Sequence, residues 1–202
     1  MVFTTPGLAA QDIIERIRDG RIAPGDRLPE VELSTSLGLS RNSLREAFRV
    51  LAFAGVVEHI PNRGVFVIRP TVKRANDYYT YRKVVEVGAL DYVHPGSPAM
   101  EKLEELITVE EPISYTIADF HQCIVDSVGS HSLSRSFEQI IVLSWIVALS
   151  FPEIVNRFPC YMETNRKIVD ALAREDVAGA RTLLHDYLDQ ACSEVIDCIN
   201  GK

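Results

Sequence analysis

The chain has 202 residues, of which 47% are hydrophobic and 24% are charged, and its formal net charge is −7. This length suits two modest domains or one large one, and the apolar content is ample for packed cores. No run of about 18 apolar residues is present, so we expect no membrane span. The first residues lack the basic start and apolar core of a signal peptide, and four cysteines without CxxC spacing predict reduced thiols. We therefore expect a cytoplasmic globular protein.

The charge is distributed unevenly along the chain. Up to Arg74 there are eleven basic and eight acidic residues, whereas the remainder has ten basic and twenty acidic residues. An acidic protein is a poor general coat for nucleic acid. A locally basic first part joined to an acidic second part is typical of a sequence-specific binder whose second part has another task.

Three short helices are predicted before Gly55. The first has an apolar stripe at helical spacing, formed by Ala9, Ala10, Ile13, Ile14 and Ile17. The second runs from about Glu30 to Leu37 and is broken at Gly38. Ser40 then caps the third helix. The buried face of this third helix follows the i, i+3, i+4, i+7 spacing and consists of Leu44, Ala47, Phe48 and Leu51.

The other face of the third helix carries polar side chains near its start. Those that point outward are Arg41, Asn42, Ser43 and Arg45. Guanidinium, amide and hydroxyl groups suit phosphate oxygens and base edges. A helix that packs on one side and offers such groups on the other is typical of a DNA-reading element.

After Gly55 the pattern changes to short β-rich runs. Residues 56–60 and 65–68 are joined by a turn that contains Arg63 and Gly64, which predicts a hairpin, or wing. A small α/β core with a solvated turn would explain either half taken alone. Helices and hairpin together, in this order, predict a winged helix-turn-helix that binds DNA.

Residues 8–69 resemble the N-terminal domain of the GntR family of bacterial transcription regulators. The matching positions are Pro24, Gly25, Arg27, Leu28, Leu33, Leu37, Gly38, Ser40, Arg41, Arg45, Glu46, Ala47, Leu51, Gly55 and Gly64. In that family the third helix enters the major groove and the wing touches the adjacent minor groove. The resemblance implies a DNA interface made of Arg27, Ser40, Arg41, Asn42, Ser43, Arg45, Arg49, Arg63 and Gly64. One departure is Val31, where many relatives carry Arg.

The wing ends near Pro70, and helical periodicity resumes there. We expect a DNA-binding domain over residues 1–70 and an all-helical domain over residues 71–202, which makes the fold mainly α. Helices are predicted over 72–93, 98–108, 114–128, 132–150, 160–174 and 176–199. One of the breaks between them is at Glu111–Pro112.

Three polar side chains are predicted on inward, otherwise apolar faces of three different helices. These are His121, Asn165 and Tyr187. A buried polar group must find a partner in another side chain, in water or in a ligand. Either a few satisfied core residues or a binding site would explain the pattern.

Residues 73–195 resemble the FCD domain, a ligand-binding module that one GntR subfamily shares with its fatty-acid-responsive member. The landmarks are Arg82, Glu86, Phe120, His121, Gly129, Leu133, residues 168–172, Asp176, Ala180 and Leu188. Most members bind a divalent metal through one Asp and three His. Those positions here are Ile117, His121, Asn165 and Tyr187. One imidazole is too few for tight metal binding, so we predict no metal and no cofactor. A rearranged metal site remains the alternative.

The two resemblances imply a regulator, most simply a repressor. A single DNA-binding head makes few base contacts, so we expect a homodimer on a palindromic double-stranded operator. We hypothesise a small organic effector, for which a carboxylate is one candidate, that contacts Arg82, His121, Asn165 and Tyr187. A dimeric DNA-binding protein without a small ligand is the other possibility. No nucleophile elbow, P-loop, GxGxxG or metalloprotease helix motif is present, so we expect no enzyme.

Overall fold

A computed structural model describes residues 5–110 and 114–201, which divide into two compact units. The first unit contains the described residues up to Arg69 together with Trp145–Ser150. The second contains Pro70–Ser144 and the described residues from Phe151 onward. The predicted break at Glu111–Pro112 lies outside the described residues.

The first unit contains three helices, as the apolar stripes predict. They are α1 (Thr5–Arg18), α2 (Glu30–Ser36) and α3 (Arg41–Phe53). The residues buried where the helices pack include Ala9, Ile13, Ile17, Leu33, Leu44, Ala47, Phe48 and Leu51. This confirms the predicted inner face of α3, and that of α1 except for Ile14, which is only half-buried.

The turn between α2 and α3 depends on Gly38 and Ser40. Gly38 has a φ of +63°, in the left-handed region where glycine alone is unstrained, so the chain can leave α2 sharply. Ser40 has extended backbone, and its Oγ accepts a hydrogen bond from the Ser43 N–H at 3.1 Å. This cap satisfies one of the free amides at the start of α3 and fixes the residue at which α3 begins.

A three-stranded antiparallel sheet completes the first unit. The strands are β1 (Arg27–Leu28), β2 (Val57–Ile60) and β3 (Gly64–Val67), in the order β1-β3-β2. The β2–β3 hairpin is the predicted wing, whereas β1 was not predicted because two residues are too few to show alternation. The wing turn has Gly64 at φ +108°, so any other residue there would be strained.

The second unit is helical. Its helices are α4 (Val72–Ala89), α5 (Pro98–Leu106), α6 (Ser114–Asp126), α7 (His131–Ser150), α8 (Pro152–Val155), α9 (Phe158–Ala173) and α10 (Val177–Ile199). Helix α7 belongs to this unit up to Ser144, and its last six residues belong to the first unit. The six predicted helices are all present. The end of the first one is a 3₁₀ turn over Leu90–Tyr92, and the four-residue α8 was not predicted.

Helix α7 alone among the described helices is long and apolar enough to cross a membrane, by length and composition. No such segment is expected from the sequence, in which no run of about 18 apolar residues occurs. Its first half carries Arg135 and Glu138, and Phe137, Ile141 and Ile146 are buried. Core helices of folded proteins can have the same length and composition, so α7 is weak evidence for a membrane.

The core of the second unit forms where α10 packs on α4 and α9, and where α6 packs on α4 and α9. It encloses a charged pair on α4. Arg82 Nε donates to Glu86 Oε1 at 2.5 Å, and Arg82 Nη2 donates to Glu86 Oε2 at 3.3 Å. Arg82 is 3% exposed and Glu86 is 0% exposed, so each charge depends on the other for compensation.

Replacing Leu44 by Ala should lower the free energy of unfolding of the first unit by about 2–5 kcal/mol, because it leaves a cavity in a filled core. Val50 lies on the same helix and is 43% exposed, so Val50→Ala is the control and should change stability by less than about 0.5 kcal/mol. Urea titration followed by circular dichroism measures both. Equal effects would contradict the assigned faces of α3.

Replacing Glu86 by Gln should destabilise the second unit by about 3–5 kcal/mol, since it leaves the Arg82 charge buried without a counter-charge. The control is Glu163→Gln, which breaks an exposed pair with Lys167 and should hardly alter stability. The same urea titration compares the two variants. A Glu86→Gln protein as stable as Glu163→Gln would show that Arg82 is not buried.

Candidate DNA interface and effector site

The predicted DNA-reading side chains lie on the solvent face of α3. Arg41, Asn42 and Arg45 are exposed, and Ser43 is half-buried with its Oγ 2.9 Å from Ser40 Oγ. The free backbone amides at the start of a helix add a partial positive charge beside them. This end of α3 can therefore meet phosphate oxygens and base edges.

Carboxylates hold the two arginines farther along α3. Arg45 Nε donates to Glu30 Oε2 at 3.0 Å and to Oε1 at 3.3 Å, which joins α3 to the first turn of α2. The Arg49 guanidinium pairs with Glu46, one turn earlier on α3 itself. Both arginines line a groove of about 400 Å³ between α3 and the strands of the wing, together with Glu30, Phe48, Ala52, Val57, His59 and Val65.

Because β1 pairs with β3, Arg27 lies near Arg63 and Gly64 of the wing turn. Arg27 on β1 pairs with Phe66 on β3, and the Arg63 guanidinium lies 5.6 Å from the centre of the Phe66 ring. A Cβ atom at Gly64 would lie 3.3 Å from Arg27 Nε. The lack of a side chain at Gly64 thus allows the Arg27 guanidinium to approach the wing turn.

Sequence reasoning did not include Glu30 among the interface residues. Glu30 is the first residue of α2 and lies 15 residues before Arg45, so no helical spacing connects them. The exposed Val31 is the neighbouring departure from the family pattern. Only the packing of α2 on α3 reveals that Glu30 faces Arg45.

A second cluster lies in the core of the second unit, around His121. His121 Nδ1 is 2.6 Å from Glu86 Oε2, and His121 Nε2 is 3.1 Å from the Tyr187 hydroxyl. With Arg82 these contacts form one hydrogen-bonded chain across α4, α6 and α10. Glu86, which sequence reasoning treated only as a family landmark, connects Arg82 to His121.

The pKa shifts of Glu86 and His121 indicate which atoms of the cluster carry protons. Burial tends to raise the pKa of Glu86, but the Arg82 guanidinium and His121 outweigh it, and the pKa lies below its ordinary value. Burial and the Arg82 charge lower the pKa of His121 despite Glu86. The carboxylate can only accept, so the neutral imidazole donates from Nδ1, and its Nε2 accepts from the Tyr187 O–H.

Asn165 is fully buried on α9 and poorly satisfied. Its Nδ2 is 3.9 Å from Met162 Sδ, and its Oδ1 has no hydrogen-bond partner among the described residues. Tyr161, one turn earlier, packs its ring edge-on against the Tyr187 ring with centroids 5.1 Å apart. A buried polar atom without a partner is costly, so Asn165 is an unfavourable residue in this core unless a partner is supplied.

The residues that replace the family's metal ligands do not form a metal site. Ile117 is buried and offers no donor atom, and His121 is already bonded at both ring nitrogens. Within residues 5–110 and 114–201, no group of three or more His, Cys, Asp or Glu side chains could hold a metal ion. These residues do not fit the divalent metal that most members of the module carry.

Comparison with known proteins covers both parts of the chain. Residues 8–67 match the family described as bacterial regulatory proteins, gntR family, and residues 79–190 match the FCD domain. An HTH-type transcriptional regulator in an unstable DNA locus of Streptomyces ambofaciens is 43% identical over 185 residues, covering 83% of this chain and 75% of that protein. The gluconate operon transcriptional repressor of Bacillus subtilis is 24% identical, covering 93% of this chain and 84% of that protein.

Among solved structures, the chain is similar to a GntR transcriptional regulator from Rhodococcus sp. RHA1. The TM-score is 0.82 at 28% identity, and the alignment covers 95% of this chain and 97% of that one. The two family matches and the 43% identical relative agree with the winged helix-turn-helix and the helical unit described above. The chain therefore belongs to the gntR family of bacterial regulatory proteins, carries an FCD domain, and is a transcriptional regulator rather than an enzyme.

Proposed function

We propose that this regulator binds a palindromic operator as a homodimer in the cytoplasm and represses transcription until a small organic effector binds. Residues 1–70 would form the DNA-binding domain, and residues 71–202 the effector and dimerisation domain. The observation that carries the proposal is the exposed face of α3, where Arg41, Asn42 and Arg45 stand free of the core.

The DNA contacts divide by chemistry. Arg41, Asn42, Ser43 and Arg45 on the first turns of α3 would read base edges in the major groove. The remaining interface residues would contact phosphates or the neighbouring minor groove: Arg27, Ser40, Arg49, Arg63 and Gly64. The arginines of the interface all lie before Arg74, in the part of the chain that is richer in Lys and Arg than the rest. This local excess of positive charge supports attraction to DNA despite the net charge of −7.

Two heads are needed for a specific operator. Each good arginine–guanine pair discriminates by about 1–3 kcal/mol, so one head offers too little against the many competing sites of a genome. A symmetric dimer doubles these contacts and requires two inverted half-sites whose spacing follows the dimer. The name of the similar gluconate operon repressor supports repression as the mode of action.

The effector would bind at the buried cluster of Arg82, His121, Asn165 and Tyr187. The unpaired Asn165 Oδ1 supports a ligand that donates a hydrogen bond. A carboxylate effector would instead have to compete with Glu86 for the Arg82 guanidinium. In either case the effector changes DNA affinity only if it binds one arrangement of the dimer more tightly than the other.

Selection of bound duplexes from a random pool tests the DNA-binding proposal. We expect an inverted repeat, bound by two copies of the chain as measured by analytical ultracentrifugation. Arg45→Ala should lower affinity for the selected duplex by about 10- to 100-fold at matched salt without changing the melting temperature. The control Lys167→Ala removes an exposed charge from α9 and should bind as tightly as wild type. Equal wild-type affinity for random and selected duplexes would contradict the proposal.

Differential scanning fluorimetry with a panel of metabolites tests the effector site. A true effector should raise the melting temperature and release the selected duplex, and both effects should be lost in Tyr187→Phe and Asn165→Ala. The matched controls, Tyr92→Phe and Asn156→Ala, change exposed residues and should keep both effects. If a compound shifts the melting temperature of wild type and the cluster variants keep that shift, the effector does not bind at this cluster.

A further inference from the structure

We infer that Glu30 determines DNA specificity by holding Arg45 in the orientation that reads guanine. This inference rests on the proposed role of α3 as the DNA-reading helix. Glu30 need not touch DNA, so it is a positioning residue that acts through Arg45.

Glu30 binds Arg45 at Nε, away from the guanidinium edge formed by the two terminal nitrogens. Both carboxylate oxygens of Glu30 bind the Nε of Arg45, at 3.0 and 3.3 Å. The two terminal nitrogens, Nη1 and Nη2, take no part in these contacts. A guanidinium that presents two N–H groups side by side matches the O6 and N7 acceptors of guanine, which is the commonest specific contact in the major groove.

The carboxylate that holds Arg45 stands on a different helix from the arginine. Glu30 opens α2 directly after Pro29, and Leu33, one turn later, is buried where α2 packs on α3. Glu30 is 34% exposed and Arg45 is 58% exposed, so the carboxylate is the more enclosed partner and the guanidinium the more open to solvent. The Arg45 guanidinium is therefore oriented before DNA arrives.

Arg49 provides a contrast within the same helix. Its partner Glu46 lies one turn away on α3, and the two side chains are 73% and 52% exposed. The contact uses Nη1, one of the terminal nitrogens that a bidentate base contact would need. Arg49 is thus suited to a phosphate contact, and Arg45 to a base contact.

The benefit of Glu30 is to specificity rather than stability. Exposed ion pairs contribute little to folding. Fixing a long side chain before binding lowers the entropy lost on association, and a nearby negative charge weakens the sequence-independent attraction to phosphates. Both effects favour the correct duplex relative to a random one.

The test compares the base preferences selected by wild type, Glu30→Gln and Glu32→Gln. Glu32 is on the same helix and exposed, and its replacement changes the charge equally. Glu30→Gln should reduce the guanine preference at one position of each half-site by about tenfold, because the aligned arginine is lost. Both variants should bind a random duplex about two- to threefold more tightly, since each removes one negative charge. Only Glu30→Gln should change the base preference.

A double-mutant comparison establishes whether Glu30 acts through Arg45. In an Arg45→Ala background, Glu30→Gln should have no further effect on the base preference. Arg45→Lys should lose the same preference with Glu30 intact, because an ammonium group cannot make the bidentate contact. Wild-type protein that selects no sequence would overturn the proposed function. Wild-type protein that selects guanine while Glu30→Gln keeps the same preference would overturn this inference alone.

Discussion

Burial of one face of α3 is the constraint from which the DNA-binding surface follows. Leu44, Ala47 and Leu51 are completely covered, largely through packing on α1, and this fixes the rotation of the helix about its axis. Once that rotation is set, Arg41 and Arg45 lie on the exposed face of the helix, and Arg45 comes within reach of Glu30 on α2. The cap at the start of α3 then decides which turn is the first. Packing and capping thus place the reading side chains on the exposed face, and the contact with Glu30 orients Arg45 within it.

Arginine held by a carboxylate occurs in both units, with opposite consequences. In the first unit the Glu30–Arg45 pair is exposed, so water screens the attraction and the pair adds little to stability. Its inferred role is to orient the Arg45 guanidinium. In the second unit the Arg82–Glu86 pair is buried, so neither charge can lose its partner without a large penalty. The same chemistry thus serves recognition at the surface and integrity in the core.

The buried cluster joins three helices through side-chain contacts. Glu86 and Tyr187 occupy the two ring nitrogens of His121, and Arg82 supplies the positive charge. Because Glu86 balances Arg82, the cluster has no net charge while the imidazole is neutral. Asn165 is the member left without a full set of partners, because its Oδ1 has none among the described residues.

Sequence periodicity by itself determined the helices, the faces they bury, the cap at Ser40 and the wing, because these depend on residues close in the chain. It also placed His121, Asn165 and Tyr187 on inward faces. The two-residue β1 was too short to carry a pattern. The partners of Arg45 and His121 were decided only by tertiary structure, since Glu30 is 15 residues from Arg45 and Glu86 is 35 residues from His121. Such contacts depend on how helices pack against one another, and no local spacing encodes that packing.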